Sequence, residues 1–239
     1  MNLKQRIERE KDHARNIINS DESNWGWKTP AGSIRWRRRL EFLTQVPDIP
    51  PNKVLELGCG TGTFTSDLSH VFTNLTSIDI SNDLLEIARQ KAPAVEFRCM
   101  DAHDLKFADN SFDAVIGCSV LHHLDWTRAL REAHRVLRVG GCIRFSEPNL
   151  VNPQIFLQKT IPAFKKRMGD SPDEYAFTKW EIARSLKTVG FQCIKATPYE
   201  FLHPSTPSKW IKYIINLEDV ISRTPLRHIA GSLNITAIK

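Results

Sequence analysis

Nine consecutive residues, Val54-Leu55-Glu56-Leu57-Gly58-Cys59-Gly60-Thr61-Gly62, leave few folds open to this chain. An apolar run carrying one acid and then three glycines at alternate positions reads as a buried strand feeding a tight turn. Glycine lets the backbone take φ > 0 there and lets a ligand touch main chain with no Cβ in the way. A helix from about Thr63 then offers unpaired N–H groups to that ligand. Spacing narrows the choice of ligand. A dinucleotide fingerprint places its third glycine three residues after the second, whereas position 63 is Thr and the third glycine falls at 62.

Downstream, strand and helix patterns alternate. A helix runs to about His70, and Leu75–Ile80 reads as a strand carrying Asp79, an acid 17 residues past Gly62. A carboxylate there can accept both hydroxyls of a ribose, although dinucleotide enzymes place an acid near this point too. A helix over Asn82–Lys91 and a strand over Val95–Met100 lead to Asp101-Ala102. The strand Ser111–Gly117 leads into Cys118-Ser119-Val120-Leu121-His122-His123-Leu124, and a helix from about Trp126 reaches Glu132-Ala133-His134-Arg135-Val136-Leu137-Arg138-Val139-Gly140-Gly141. Next come the strand Cys142–Ser146, ending at Glu147, and a helix capped by Asn152-Pro153 with apolar Ile155, Phe156, Leu157, Ile161 and Phe164. Thr178-Lys179-Trp180-Glu181 is a capping box for a helix ending at Gly190. Phe191–Thr197 and Leu233–Ile238 read as the last strands. Between them, Lys209–Arg223 places Trp210, Ile211, Ile214, Leu217 and Ile221 on one face, which packing against the core would use.

These segments resemble the class I S-adenosylmethionine (SAM)-dependent methyltransferases over about Lys53 to Asn149. Glu56 to Gly62 matches motif I, Asp101-Ala102 motif III and Ser111 to Leu124 motif IV. Glu132 to Gly141 is similar to the helix end after motif IV, with Val139 where the family usually has Pro. The resemblance implies an α/β, Rossmann-like, seven-stranded and mostly parallel sheet of order 3-2-1-4-5-7-6. Strand 7 would be antiparallel, with helices on both faces and a helical cap. Residues 1–52 would form an N-terminal lid that Trp25 and Trp27 help to close, although packing is the commoner use of such residues. Residues 53–239 would form the methyltransferase domain, with acceptor-side insertions at about 148–178 and 203–230.

The cofactor implied is SAM, leaving as S-adenosylhomocysteine. Its implied contacts are Glu56, Gly58, Cys59, Gly60, Gly62, Asp79, Ile80, Asp101, Ala102 and Cys118. Asp79 would take the ribose, Ile80 the adenine face, Asp101 the adenine amino group, and the next backbone N–H a ring nitrogen. Strands 4 and 5 are neighbours in this fold, so His122 or His123 can meet Glu147 above the sheet. A histidine oriented by a carboxylate suits removal of an acceptor proton at neutral pH. Some natural-product sugar O-methyltransferases with a similar motif use such a pair, yet paired histidines here are widespread in the family irrespective of acceptor. His122 is the first choice as base and His123 the second.

Charge and composition sort the partners. Residues 1–52, 53–147 and 148–239 carry net charges of +3, −3 and +6, so basic flanks border an acidic core. Arg35 to Arg39 and Lys165 to Arg167 would favour an anionic or amphiphilic acceptor, or else form a solvated face. Five cysteines with no Cys-x-x-Cys pair read as reduced core thiols, and no metal site is expected. No apolar run is long enough to span a membrane, which points to a cytoplasmic protein; peripheral membrane contact and oligomeric state are left open. Motif IV lacks the Asn/Asp-Pro-Pro-aromatic run of base-amine methylation, and no Pro-Cys supplies a nucleophile for cytosine chemistry. The reading is therefore methyl transfer to a small molecule, at oxygen, with nucleic acid disfavoured. An RNA or protein methyltransferase and a non-catalytic SAM-binding protein stand as alternatives.

Overall fold

The computed structural model describes residues 26–46, 53–168 and 174–239, apart from the side chains of 166–168. The first 25 residues of the expected N-terminal lid, Trp25 among them, and the Lys166 and Arg167 side chains lie outside those residues. Seven strands form one sheet: β1 (Val54–Leu57), β2 (Leu75–Asp79), β3 (Glu96–Cys99), β4 (Phe112–Cys118), β5 (Leu137–Pro148), β6 (Gln192–Tyr199) and β7 (Ser232–Ile238). Their order is β3-β2-β1-β4-β5-β7-β6. Pairings from β3 across to β5 are parallel, and β7 runs antiparallel between β5 and β6, as expected from the sequence.

Side chains alternate across the pleat and fill two cores. Leu55, Leu57, Val115, Ile143 and Phe145 meet Leu130 and Ala133 of α4 (Trp126–Val136) and Leu186 of α7 (Lys179–Val189). On the opposite face, Val54, Ala114, Ile116 and Cys142 meet Leu68 of α2 (Thr63–Leu68) and Leu43 of α1 (Pro30–Thr44). Because both faces are covered, all four residues of β1 are buried. A further helix, α3 (Asn82–Lys91), follows β2, and its Ala88 lies against Gly62. Helix boundaries follow local chemistry: Thr29 accepts from Gly32 N–H ahead of Pro30, and Thr178 and Glu181 cap α7 reciprocally.

Three expectations change. The helix expected through Phe164 divides into α5 (Pro153–Thr160) and α6 (Pro162–Met168), because Pro162 lacks an N–H and drives Ile161 into an extended conformation. Helix α8 (Ser208–Ile221) does not bury the stripe read from its sequence: Ile211, Ile214 and Ile215 pack with Ala31 and Leu202, while Trp210 and Leu217 are exposed. Its inward edge also carries Glu218, which accepts from the N–H groups of Phe201 and Leu202 and pairs with Arg38 at 2.7 Å. Cys99 and Cys193, expected as core thiols, are exposed because they lie on the outer strands β3 and β6.

The basic run of α1 is neutralised from within the protein. Arg35 and Arg39 both reach Glu200, at 2.9 and 2.7 Å, and Arg39 also donates to Ser232 Oγ. An acceptor anion would have to displace Glu200 or Glu218 to use these side chains, so Arg37 alone keeps an exposed position among them. Trp27 lies edge-on to Trp36 and Phe64, and Trp36 stacks on Phe64 at 3.6 Å while donating to Asp67 at 2.7 Å. These contacts fasten α1 to α2, so Trp27 serves packing.

Candidate active site

The carboxyl ends of β1, β2 and β3 form one edge, and the glycine turn crosses it. Cys59 N–H donates to Ile78 O, and Met100 N–H donates to Asp79 O, which ties the three strand ends together. Gly58 and Gly60 both have positive φ but serve different ends. A Cβ on Gly58 would stand 2.3 Å from Val120 Cγ2, so this glycine lets the loop after β4 press against the turn. A Cβ on Gly60 would meet nothing within 4 Å, so its backbone faces open space. Gly62, left-handed at φ 73°, is the N-cap residue of α2. Cys59 is buried, its thiol pushed well up by burial and by the neighbouring Glu56 and Asp79 charges.

Asp79 stitches this turn together. Its two oxygens accept from Gly60 N–H and Ser81 N–H, each at 2.9 Å, leaving lone pairs on both. Burial raises its pKa against those donors. Ile80 is half-buried beside it. Asp101 lies on the same edge, where Oδ1 accepts from His103 N–H at 2.9 Å and contacts His103 Nδ1 at 2.6 Å. Burial opposes ionisation of Asp101, but the His103 contacts outweigh it and hold the carboxyl below its ordinary range. His103 Nε2 accepts from Asp125 N–H, so its proton sits on Nδ1, facing Asp101. Ala102 is buried behind them.

Glu56 faces inward. It is 4% exposed, and Oε2 accepts from the Thr65 and Ser77 hydroxyls at 2.7 Å each, bracing β1 against β2 and α2. Burial pushes its pKa from 4.5 to about 7. A raised carboxyl favours folding while it is protonated, and that contribution is lost as pH climbs from about 4.5 through 7, roughly 3 kcal/mol in all. Denaturant titrations at both ends of that window should show Glu56→Gln gaining on the wild type at the alkaline end. Parallel pH dependence of the two proteins would refute this account.

At the next strand ends the chain brings three expected residues together. Ser119 leaves β4 with φ 55°, a left-handed non-glycine conformation held by its N–H to Ser146 O at 2.8 Å. The backbone then forms a short 3-10 turn at Leu121–His123. Glu147, 1% exposed near the end of β5, accepts from Val120 and Leu121 N–H on one oxygen and meets His122 Nδ1 on the other, all at 2.9 Å. Burial pushes Glu147 up to about 7 in spite of those donors. With Nδ1 turned to Glu147, His122 Nε2 is the basic nitrogen. The His123 ring lies 4.2 Å from that of His122 and is the more exposed of the two. Burial pushes the Cys118 thiol up to about 11.

Sequence reasoning missed Glu174, 3% exposed, which faces both histidines: Oε2 is 3.9 Å from His122 Nε2 and Oε1 is 3.8 Å from His123 Nδ1. One donor atom each from His122, His123 and Glu174 lies within 4.8 Å of the others. The buried ammonium of Lys159 is already bonded to Glu174 and supplies positive charge at this place. No periodicity marks Glu174, since it stands in an irregular stretch that only long-range pairing places.

A family model described as a methyltransferase domain matches residues 55–145. The demethylmenaquinone methyltransferase of Staphylococcus aureus is 30% identical over 210 residues, spanning 78% of this chain and 82% of that protein. The chain belongs to the class I SAM-dependent methyltransferase family. In fold, this methyltransferase is similar to a SAM-dependent methyltransferase from Thermotoga maritima, with a TM-score of 0.72 at 20% identity, covering 96% of this chain and 99% of that one. It is also similar to phosphoethanolamine N-methyltransferase 2 of Haemonchus contortus in complex with S-adenosylhomocysteine, with a TM-score of 0.65 at 18% identity, covering 96% and 59%. SAM is the cofactor, and this edge fits it: Gly60 backbone open to a ligand, with Asp79 and Asp101 at adjoining strand ends. No helix among the described residues is long and apolar enough to cross a membrane.

Proposed function

We propose that this methyltransferase transfers the methyl group of SAM to a hydroxyl oxygen of a small amphiphilic molecule, with His122 as general base and Glu147 as the carboxylate that orients it. The observation that carries this reading is the buried 2.9 Å contact between His122 Nδ1 and Glu147, in a turn packed against Gly58 of the cofactor loop. Bound SAM supplies a methyl group on a positively charged sulfur that keeps the electron pair of the broken bond. His122 Nε2 accepts the hydroxyl proton as the oxygen bonds to that methyl group. Glu147 stabilises the imidazolium so formed, and burial excludes competing water.

On this reading Asp79 holds the ribose hydroxyls, Ile80 lies against the adenine, Asp101 and Ala102 take its edge, and Gly58, Cys59, Gly60 and Gly62 shape the loop. Cys118 lines the neighbouring wall, and Glu56 acts by bracing β1 rather than by touching the ligand. The likeness to the demethylmenaquinone methyltransferase, whose name gives a small-molecule substrate, supports a small-molecule acceptor.

Asp79→Ala should weaken SAM and S-adenosylhomocysteine binding alike by roughly 1–3 kcal/mol, since it removes a hydroxyl acceptor and a strut of the Gly60 turn. Calorimetry that finds unchanged affinity sinks this placement. For the acceptor, the protein is incubated with methyl-labelled SAM and fractionated small-molecule extract. Label on a hydroxyl oxygen supports the reading, and label on nitrogen, RNA or protein overturns it.

A further inference from the structure

We infer that Glu174 is a positioning residue for the base, a second carboxylate that holds the proton His122 takes from the acceptor, with Lys159 setting how strongly it does so; this rests on the reading of His122 as base. Among the described residues, charged groups from four elements face the histidine turn. Glu147 comes from β5, Asp79 from the end of β2, Lys159 from α5, and Glu174 from the stretch before α7. Lys165 of α6 donates to the backbone oxygen of Glu174 at 2.7 Å.

Glu174 is fixed in place by main chain. Tyr175 N–H donates to His122 O at 3.0 Å, Leu150 N–H donates to Phe177 O at 3.1 Å, and Asn149 bridges Phe177 in parallel. Ala176 and Phe177 are fully buried and anchor the stretch. The main chain beside Glu174 is therefore held in place, and at 3.8–3.9 Å the carboxylate lies too far for a strong hydrogen bond to either ring yet within ion-pair range of both. Such a contact contributes little to a neutral imidazole and much to an imidazolium. Burial opposes the ionisation of Glu174, but His123, Lys159 and His122 together pull it down to about 2. Lys159 draws on the same charge, in opposition to the histidines.

Two substitutions then act with opposite signs. Glu174→Gln removes the charge that favours the imidazolium, so the acidic limb of the pH–rate profile should move down by about one pH unit and the plateau rate should fall about tenfold. Lys159→Met removes the cation that competes with the histidines for Glu174, so the limb should move up. Ring-proton NMR of the full chain without cofactor should show the His122 titration moving the same way in each variant, independently of turnover, with Glu174→Asp restoring most of it. Titrations that stay put in both variants, or shifts of one sign in both, overturn the inference. Loss of turnover in EDTA with recovery on adding a divalent cation overturns it as well, because the cluster would then serve an ion. Should His122→Ala keep full turnover, the reading of the base fails instead, whatever Glu174 does to the titration.

Discussion

His122→Ala should lower turnover by about a hundredfold or more, the range for loss of a general base, while SAM affinity stays near wild type. On the proposed reading the two effects separate, because the imidazole would face the acceptor while Gly60, Asp79 and Asp101, on the neighbouring strand ends, would hold the cofactor. Glu147→Gln should give a smaller loss in the same direction, since an amide still orients Nδ1 but no longer stabilises the imidazolium. Burial pushes Glu147 up to about 7, so the carboxylate that orients His122 is gained as pH rises through that region. Turnover should therefore rise with pH through that region and level off above it. Single-turnover rates for both variants decide the matter. Wild-type rates in His122→Ala would leave proximity and desolvation as the whole mechanism, as for an acceptor already nucleophilic at neutral pH.

Glu200→Ala is expected to cost roughly 3–5 kcal/mol of folding stability, the range for removing one partner of a buried ion pair. Glu200 is 6% exposed and Arg39 is 3% exposed, so the variant leaves a guanidinium out of water with Ser232 and the Trp27 and Tyr199 rings for company. Arg35 loses its partner at the same time. Burial opposes ionisation of Glu200, but the two arginines hold its carboxyl below the ordinary range. A depressed carboxyl stabilises the fold above its unfolded pKa, and that stability is lost as pH falls through the folded value, so the difference between wild type and variant should shrink in acid. Chemical denaturation at neutral and acid pH measures it. A loss below about 1 kcal/mol at neutral pH would mean that water or a rearranged Glu218 already compensates the arginines.

This clamp also bears on how the acceptor is recognised. In sequence, four arginines within five positions of α1 read as an anion-capturing surface. Glu200 and Glu218 lie more than 150 residues away, and no local pattern connects them to α1. Folding joins them because β6 ends, at Tyr199, where α1 crosses the sheet, and the left-handed turn at Glu200 aims its carboxylate inward.

The sequence by itself determined most element boundaries, while the fold class and the strand order followed from its resemblance to the class I methyltransferases. The boundaries follow from short-range causes: glycines at alternate positions after Leu57, the Thr178–Glu181 box, and apolar runs of strand length. It also placed His122 and Glu147 as partners, because β4 and β5 are neighbours whenever that strand order holds. Only the tertiary structure decided which way Glu56 points, that Gly58 admits Val120 while Gly60 stays open, and that Glu174 joins the histidines. A side chain's burial and partners depend on groups brought from far along the chain, and a buried carboxylate has the same letter as an exposed one. Spacing reports the backbone path, but the charge on Glu56, Glu147 and Glu174 is set by how much water the packed fold removes and which donors it leaves behind.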